Sequence, residues 1–216
     1  MRGGGGNFGV ATSFEYRLHQ LNPDVIARHV DYPASQVKDA IEFYGNFISK
    51  APRELSVDLL LAPDANGEPG GYLYVVYTGA ASSSEKVLQS LQRFGKPIGN
   101  TIGSQSYLAL QTQFDTAPLG PANSYLKGGF VRDFPAGLVE VRTRDFRPDD
   151  RVTAYFQNAN GVVADVPQTA TAFSHRKAIA NMMVGGHWKD RSYNEEGRAR
   201  VRANWEKSRR LLTVTT

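Results

Sequence analysis

The chain has 216 residues, of which 41% are hydrophobic and 21% charged, and its net charge is +4 at pH 7. This composition is typical of a globular protein and excludes a disordered or fibrous chain. The absence of cysteine excludes disulfides and cysteine nucleophiles. No apolar stretch reaches the length of about eighteen residues needed to span a membrane, and the N-terminus lacks a secretory pattern, so we expect a cytoplasmic rather than a secreted protein.

The chain opens on a run of glycines, Gly3 to Gly6, followed by Asn7, Phe8 and Gly9. Glycine loses the most conformational entropy on ordering, so such a run indicates a close approach of backbone to a ligand or a positive φ. The glycines match the spacing G-x-G-x-x-G, but we expect no strand before them. Residues 10–18 then alternate with the period of a strand, which argues against a βαβ nucleotide fold.

The next elements have the order strand, helix, strand, strand, helix. The pattern predicts strands at 25–30, 55–62 and 72–77, a helix whose apolar stripe runs from Val37 to Ile48, and a helix capped by Ser82 and Glu85. The strands at 55–62 and 72–77 are predicted to form an antiparallel pair. This order predicts an α+β fold, an antiparallel β-sheet with helices packed on one face.

The second half of the chain continues the same pattern. It predicts a short helix within 104–114, a strand at 125–131, a weaker helix at 135–144 and a strand at 151–157. Extended segments follow at 162–166 and 178–184, and a last helix covers 193–212.

The last helix carries most of the excess positive charge. Between 191 and 210 there are seven Arg or Lys residues: Arg191, Arg198, Arg200, Arg202, Lys207, Arg209 and Arg210. Nucleic-acid binding is one interpretation of such a cluster and a solvated helix face is the other. We favour the solvated face and predict no nucleic-acid partner, because no aromatic residues alternate with the basic ones.

Several segments together indicate a family. Residues 2–19 (RGGGGNFGVATSFEYRLH) closely resemble the end of the main flavin-binding region of berberine-bridge-type FAD-linked oxidases, a branch of the vanillyl-alcohol-oxidase family. Segments similar to the substrate domain of these enzymes follow in the family's order: 43–47, 51–55, 77–79, 91–97, 107–111, 125–127 and 169–176 (TATAFSHR). The resemblance divides the chain into a last flavin-domain strand at 1–19, a substrate or lid domain at 20–192 and a C-terminal helical segment at 193–216.

The resemblance implies FAD as the cofactor and oxidation of an alcohol or sugar-type small molecule by hydride transfer to flavin, with O2 as the expected acceptor. The residues implied in flavin contact are Gly4, Gly5, Gly6, Asn7, Phe8, Gly9, Val10 and Thr12. The resemblance also implies that most of the flavin domain lies outside this chain, so we expect the isolated chain to bind FAD poorly. Ala159-Asn160-Gly161 departs from the aromatic or His followed by two glycines of many bacterial relatives, which leaves a catalytic role there in doubt.

Substrate contact is predicted from strand alternation. Tyr125 with Lys127, and Tyr155 with Gln157, are pairs two residues apart, and each pair therefore shares one strand face. His175 and Arg176 are adjacent, which on a strand would direct them to opposite faces, and we favour a packed histidine or an ion pair there. The other histidines lack metal-ligand spacing, so we predict no metal, and the sequence assigns no catalytic base.

One other function class stays open beside the oxidase. It is a non-catalytic α+β substrate-binding module that keeps the substrate sheet without FAD. An in-frame flavin-domain sequence upstream of Met1 would favour the oxidase, whereas a genuine promoter would favour the module. The sequence leaves the oligomeric state open.

Overall fold

A central antiparallel sheet organises the protein. The computed structural model describes residues 2–63, 67–113, 115, 123–144 and 152–212. Its eight strands are β1 (Asp24–Pro33), β2 (Leu55–Pro63), β3 (Pro69–Tyr77), β4 (Gly99–Asn100), β5 (Gly103–Ser106), β6 (Asn123–Val131), β7 (Val152–Asn158) and β8 (Ala180–Trp188). The spatial order is β4-β1-β3-β2-β7-β8-β6, with β5 also paired to β1, and every pairing is antiparallel.

The described ranges contain six α-helices, five between strands and the last after β8. They are α1 (Val37–Ile48), α2 (Ala81–Arg93), α3 (Tyr107–Thr112), α4 (Ala136–Arg144), α5 (Val162–Asp165) and α6 (Asn194–Arg209). Contacts join α1 to β2 and β3, α6 to β6 and β8, and α4 to both α1 and α6. These three helices therefore cover one face of the sheet, as the α+β prediction requires. None of the helices in the described ranges is long and apolar enough to cross a bilayer.

The hydrophobic core lies between this helix-covered face and α1, α4 and α6. Strand alternation directs Leu55, Val57, Leu59 and Leu61 of β2 into it, where each is at most 3% exposed. Tyr44 of α1 is fully buried against them, and its hydroxyl donates to the Phe156 carbonyl at 3.0 Å. Of the intervening residues of β2, Asp58 and Leu60 lie on the opposite face of the sheet and are half-buried.

The predicted elements are confirmed with three corrections. Residues 10–18 form no strand: they are exposed and pair with no described segment, and alternation alone cannot satisfy backbone groups without a neighbouring strand. The segment predicted as extended at 162–166 is instead the helical turn α5, which follows Gly161 at φ +75°. Ser82 lies inside α2, whose N-cap is Ala80 without a side-chain cap. Residues 114, 151 and 213–216, at the ends of predicted elements, lie outside the described part of the chain.

Candidate functional site

The face of the sheet opposite α1, α4 and α6 carries a cavity of about 640 Å³. Six strands and the region of α3 contribute to its wall, because alternate residues of the strands point away from the helix-covered face. The lining residues are His29, Leu60, Tyr74, Val75, Val76, Leu110, Gln111, Gln113, Leu126, Thr153, Tyr155, Met183, Gly185 and His187. We call the face that carries it the cavity face.

A tyrosine and a carboxylate are paired at the centre of the cavity face. The Tyr155 hydroxyl on β7 donates a hydrogen bond to Asp58 Oδ2 on β2, and the Asn158 backbone N–H donates to Asp58 Oδ1 at 2.7 Å. Burial raises the pKa of Asp58 despite these two hydrogen bonds, which act in the opposite direction. Burial and the bond to Asp58 also raise the pKa of Tyr155. The tyrosine therefore stays protonated, and Asp58 is a stronger proton acceptor than a solvent-exposed carboxylate.

A second polar group lies on the β1 and β3 side of the same face. His29 faces Tyr74 across the strands, with ring centroids 5.7 Å apart, and His29 Nε2 lies 3.4 Å from Asp31 Oδ2. Burial raises the pKa of Asp31 although His29 opposes the shift, and burial together with the charge of Asp31 raises the pKa of Tyr74. The cavity thus has ionisable groups near its centre and at one end.

The N-terminal glycines dock onto the segment that contains the TATAFSHR sequence. Gly3 has φ +82°, and a Cβ placed on it would lie 2.5 Å from the Phe173 backbone nitrogen. The Ala172 N–H donates to the Arg2 carbonyl at 3.1 Å. Only glycine fits at position 3, since a side chain there would meet backbone and would also require a strained conformation.

An aromatic cluster supports this docking. His175 stacks on Phe130 of β6 at 4.3 Å between centroids, and Phe173 lies edge-on to both rings. Arg176 donates to Thr171 Oγ1 at 2.7 Å and lies over the Phe173 ring. His175 is therefore packed, as favoured from the sequence. The two residues lie outside the strands, however, and both contact Phe173 instead of pointing to opposite faces of a strand.

The residues implied in flavin contact are available for contact but do not surround a ligand. A 3-10 turn covers Gly5–Asn7, and a Cβ at Gly5, Gly6 or Gly9 would have nothing within 4 Å. Thr12 is exposed, and so are Phe8 at 65% and Val10 at 91%. Gly4 differs, because a Cβ there would meet the Phe8 ring at 2.5 Å. Except at Gly4, the glycines implied in flavin contact have open space where side chains are missing.

The four residues predicted for substrate contact divide between the two faces of the sheet. Tyr155 lines the cavity, and Gln157 shares its face but is exposed and does not line the cavity. Lys127 and Ala154 both pair with Val184, so Lys127 shares the helix-covered face with the buried Ala154. Tyr125 lies on that same face, where its hydroxyl accepts a hydrogen bond from Arg202 Nε on α6 at 3.2 Å. The structure therefore places the two pairs on opposite faces of the sheet.

Several cavity residues escaped the sequence prediction. Asp58 could have been found, because it is the one charged residue in the strongly apolar strand from Leu55 to Leu61. His29 and His187 were considered only as metal ligands, yet both line the cavity. Within the described ranges, no group of three or more His, Cys, Asp or Glu side chains could hold a metal ion.

The basic last helix has the structure of a solvated surface. Its arginines pair with acidic residues one turn away: Arg198 with Glu195 at 3.4 Å, Arg200 with Glu196 at 2.9 Å and Arg209 with Glu206 at 3.0 Å. Such exposed pairs contribute little to stability, but they neutralise much of the positive charge along the helix. The charge pattern of α6 is therefore explained by pairing within the helix.

Comparisons with known proteins show one similarity in sequence and several in fold. No protein-family model matches the chain. An FAD-linked oxidoreductase of Dictyostelium discoideum is 25% identical over 184 residues, which cover 82% of this chain and 39% of that protein. The crystal structure of aclacinomycin oxidoreductase matches with a TM-score of 0.75 at 16% identity, covering 86% of this chain and 41% of that one. The BBE-like 1 protein of Physcomitrella patens matches with a TM-score of 0.77 at 13% identity, covering 92% and 46%.

The chain thus spans less than half the length of the relatives it matches. Its antiparallel sheet with helices on one face is the fold that these structures share with it. The chain is therefore similar in sequence to an FAD-linked oxidoreductase, and it shares its fold with structures of berberine-bridge-type enzymes.

Proposed function

We propose that this chain provides the substrate-binding sheet of an FAD-dependent oxidoreductase that oxidises an alcohol or sugar-type substrate, with O2 as the electron acceptor. The observation that carries the proposal is the hydrogen bond to Asp58 from Tyr155, which lines the 640 Å³ cavity of a sheet whose fold is shared with berberine bridge enzyme. The reaction balances as R2CHOH + O2 → R2C=O + H2O2. The alcohol loses a hydride from carbon and a proton from oxygen, and O2 receives both with their electron pair.

Bound FAD would supply the hydride acceptor for the substrate carbon. On the glycine segment, the exposed backbone of Gly5, Gly6 and Gly9 would lie against it without side chains in the way, and Phe8 and Val10 would add apolar contact. The described residues offer one side of such a site. For that reason we expect the isolated chain to bind FAD weakly.

The protein's own task is to remove the proton of the substrate hydroxyl. The Tyr155 hydroxyl donates a hydrogen bond to Asp58, so the lone pairs of Tyr155 Oη can accept a hydrogen bond from the substrate hydroxyl. As the hydroxyl proton moves to Tyr155 Oη, the tyrosine proton moves to Asp58 Oδ2. The raised pKa of Asp58 favours this transfer, because the carboxylate is desolvated and gains from protonation.

This relay predicts the direction of the pH dependence. Asp58 accepts a proton only when ionised, so kcat/KM increases as the pH rises through the pKa of Asp58, which lies above the ordinary aspartate value. Replacing Tyr155 by Phe interrupts the relay and lowers kcat by roughly 10²- to 10⁴-fold. A Tyr155→Phe variant with unchanged kcat would contradict the role assigned to the pair.

The test of the overall proposal uses the protein in its natural form. An antibody raised against the recombinant chain isolates the protein from its source cells, and absorbance with mass spectrometry shows whether FAD is present. A panel of alcohols and sugars is then assayed for peroxide formation. Equimolar FAD with alcohol-dependent peroxide supports the oxidase, whereas a flavin-free protein that binds these compounds unchanged supports the non-catalytic binding module.

A further inference from the structure

The central tyrosine of the cavity has aliphatic neighbours on both sides. Tyr155 pairs with Leu60 of β2 in one direction and with Met183 of β8 in the other, and all three side chains line the cavity. Cross-strand neighbours on one face lie about 5 Å apart, so a molecule that extends along the sheet from the Tyr155 hydroxyl lies over Leu60 or Met183. Any ligand of this site therefore places its body on an apolar surface.

The apolar surface extends across the sheet and onto the opposite wall. Leu126 of β6, which is 50% exposed, and Val76 of β3 continue it on the cavity face, and Leu110 of α3 contributes from the other side. We call Leu60, Val76, Leu110, Leu126 and Met183 the apolar band. A cavity of about 640 Å³ with this band is large enough for a ligand of several rings.

Three of the polar groups near Tyr155 are occupied by the protein itself. Thr153 Oγ1 donates to the Gly185 carbonyl at 3.4 Å, and Asp58 accepts from both Tyr155 and the Asn158 N–H. His29 is paired with Asp31. The other polar lining residues are Tyr74, Gln111, Gln113 and His187, whereas the five side chains of the band carry no hydrogen-bonding nitrogen or oxygen atom.

These contacts decide between the two substrate classes that the proposed function leaves open. A free sugar carries a hydroxyl on almost every carbon, and each hydroxyl left without a partner against the band weakens binding by about tenfold. An apolar ring system gains affinity from the same contact. We infer that the substrate is an alcohol with an apolar, ring-containing body, bound with its hydroxyl at Tyr155, and not a free sugar. This inference rests on the proposed function.

Calorimetric titration of the 216-residue chain tests the inference without flavin or turnover. The probes are 2-naphthalenemethanol, a hydroxymethyl group on an apolar double ring, and D-glucose. Leu126→Gln places an amide in the apolar band. The matched control is Leu108→Gln, because Leu108 is 70% exposed on α3 and does not line the cavity. Met183→Gln is the second band variant if Leu126→Gln does not fold, as judged by circular dichroism.

We expect 2-naphthalenemethanol to bind at least ten times more tightly than glucose. Leu126→Gln should weaken its binding by roughly five- to tenfold, and Leu108→Gln should leave it unchanged. Glucose binding as tightly as the aromatic alcohol, equal losses in both variants, or no binding of either probe would overturn the inference. A different result would contradict the proposed function, namely that the protein isolated from its source cells contains no FAD. If the flavin-loaded protein oxidised only sugars, the proposed function would stand and the inference about the substrate would be wrong.

Discussion

Replacing Gly3 by alanine should undock the N-terminal glycine segment while leaving the core intact. The new Cβ would lie 2.5 Å from the Phe173 nitrogen and 2.9 Å from the Phe173 Cβ, both closer than real Cβ contacts. An alanine at φ +82° also costs about 1–2 kcal/mol. Separation from Phe173 would break the hydrogen bond from Ala172 N–H to the Arg2 carbonyl, worth about 0.5–1.5 kcal/mol.

Together these terms shift the docking equilibrium by about 2 kcal/mol or more, which is roughly thirtyfold. Amide hydrogen exchange of Ala172, followed by NMR, measures this directly, and we expect its protection to fall by at least about tenfold. The thermal unfolding midpoint should stay nearly constant, because the core between the sheet and α1, α4 and α6 is untouched.

Gly5→Ala is the matched control. Gly5 also has a positive φ, +69°, but a Cβ there meets nothing within 4 Å. The backbone strain is therefore similar, whereas the collision with Phe173 is absent. If both variants lost Ala172 protection to the same extent, the contact between Gly3 and Phe173 would not be what holds the segment.

Three further changes test the core and the cavity. Tyr44→Phe removes the buried hydroxyl that donates to the Phe156 carbonyl, so urea unfolding should show a loss of about 1–3 kcal/mol. Gly197→Ala should destabilise α6 by about 1–3 kcal/mol, since its Cβ would lie 2.7 Å from the Trp188 ring, although alanine normally favours a helix; a stabilised variant would show that the ring moves aside. For Asp58, the raised pKa of the folded state means that its stabilising contribution is complete below the unfolded-state value of about 4 and is lost as the pH rises through the folded-state value. Asp58→Asn removes this loss, so in urea titrations the stability of wild type relative to the variant should fall as the pH rises from about 4 through the folded-state pKa of Asp58, and a constant difference would contradict the assigned pKa direction.

Local periodicity predicted most of the fold because it reports which residues meet the core. The stripe from Val37 to Ile48 and the alternation from Leu55 to Leu61 each match an observed element. Alternation in residues 10–18 is equally clear, but pairing is a property of two segments, and these residues pair with no described strand. Likewise, Gly161 at φ +75° precedes a helical turn at Val162–Asp165, where the sequence predicted an extended segment.

The candidate site was less predictable because it depends on the register between distant strands. Tyr155 and Asp58 are 97 positions apart and meet only through the pairing of β7 with β2. Alternation correctly placed Tyr125 with Lys127 and Tyr155 with Gln157. It could not reveal that β6, β8 and β7 bring the two pairs to opposite faces, since that relation depends on which residues face Val184.

Because the sheet has a buried face and a cavity face, the cavity lining can be substituted independently of the core. In β2, one set of residues, which includes Leu59 and Leu61, lies in the buried core, and the alternate set contributes Leu60 to the cavity. Substitutions in the second set alter the lining without repacking the first. A library restricted to cavity positions such as Leu60, Leu126 and Met183 should therefore keep a high proportion of folded members while its ligand preference diverges.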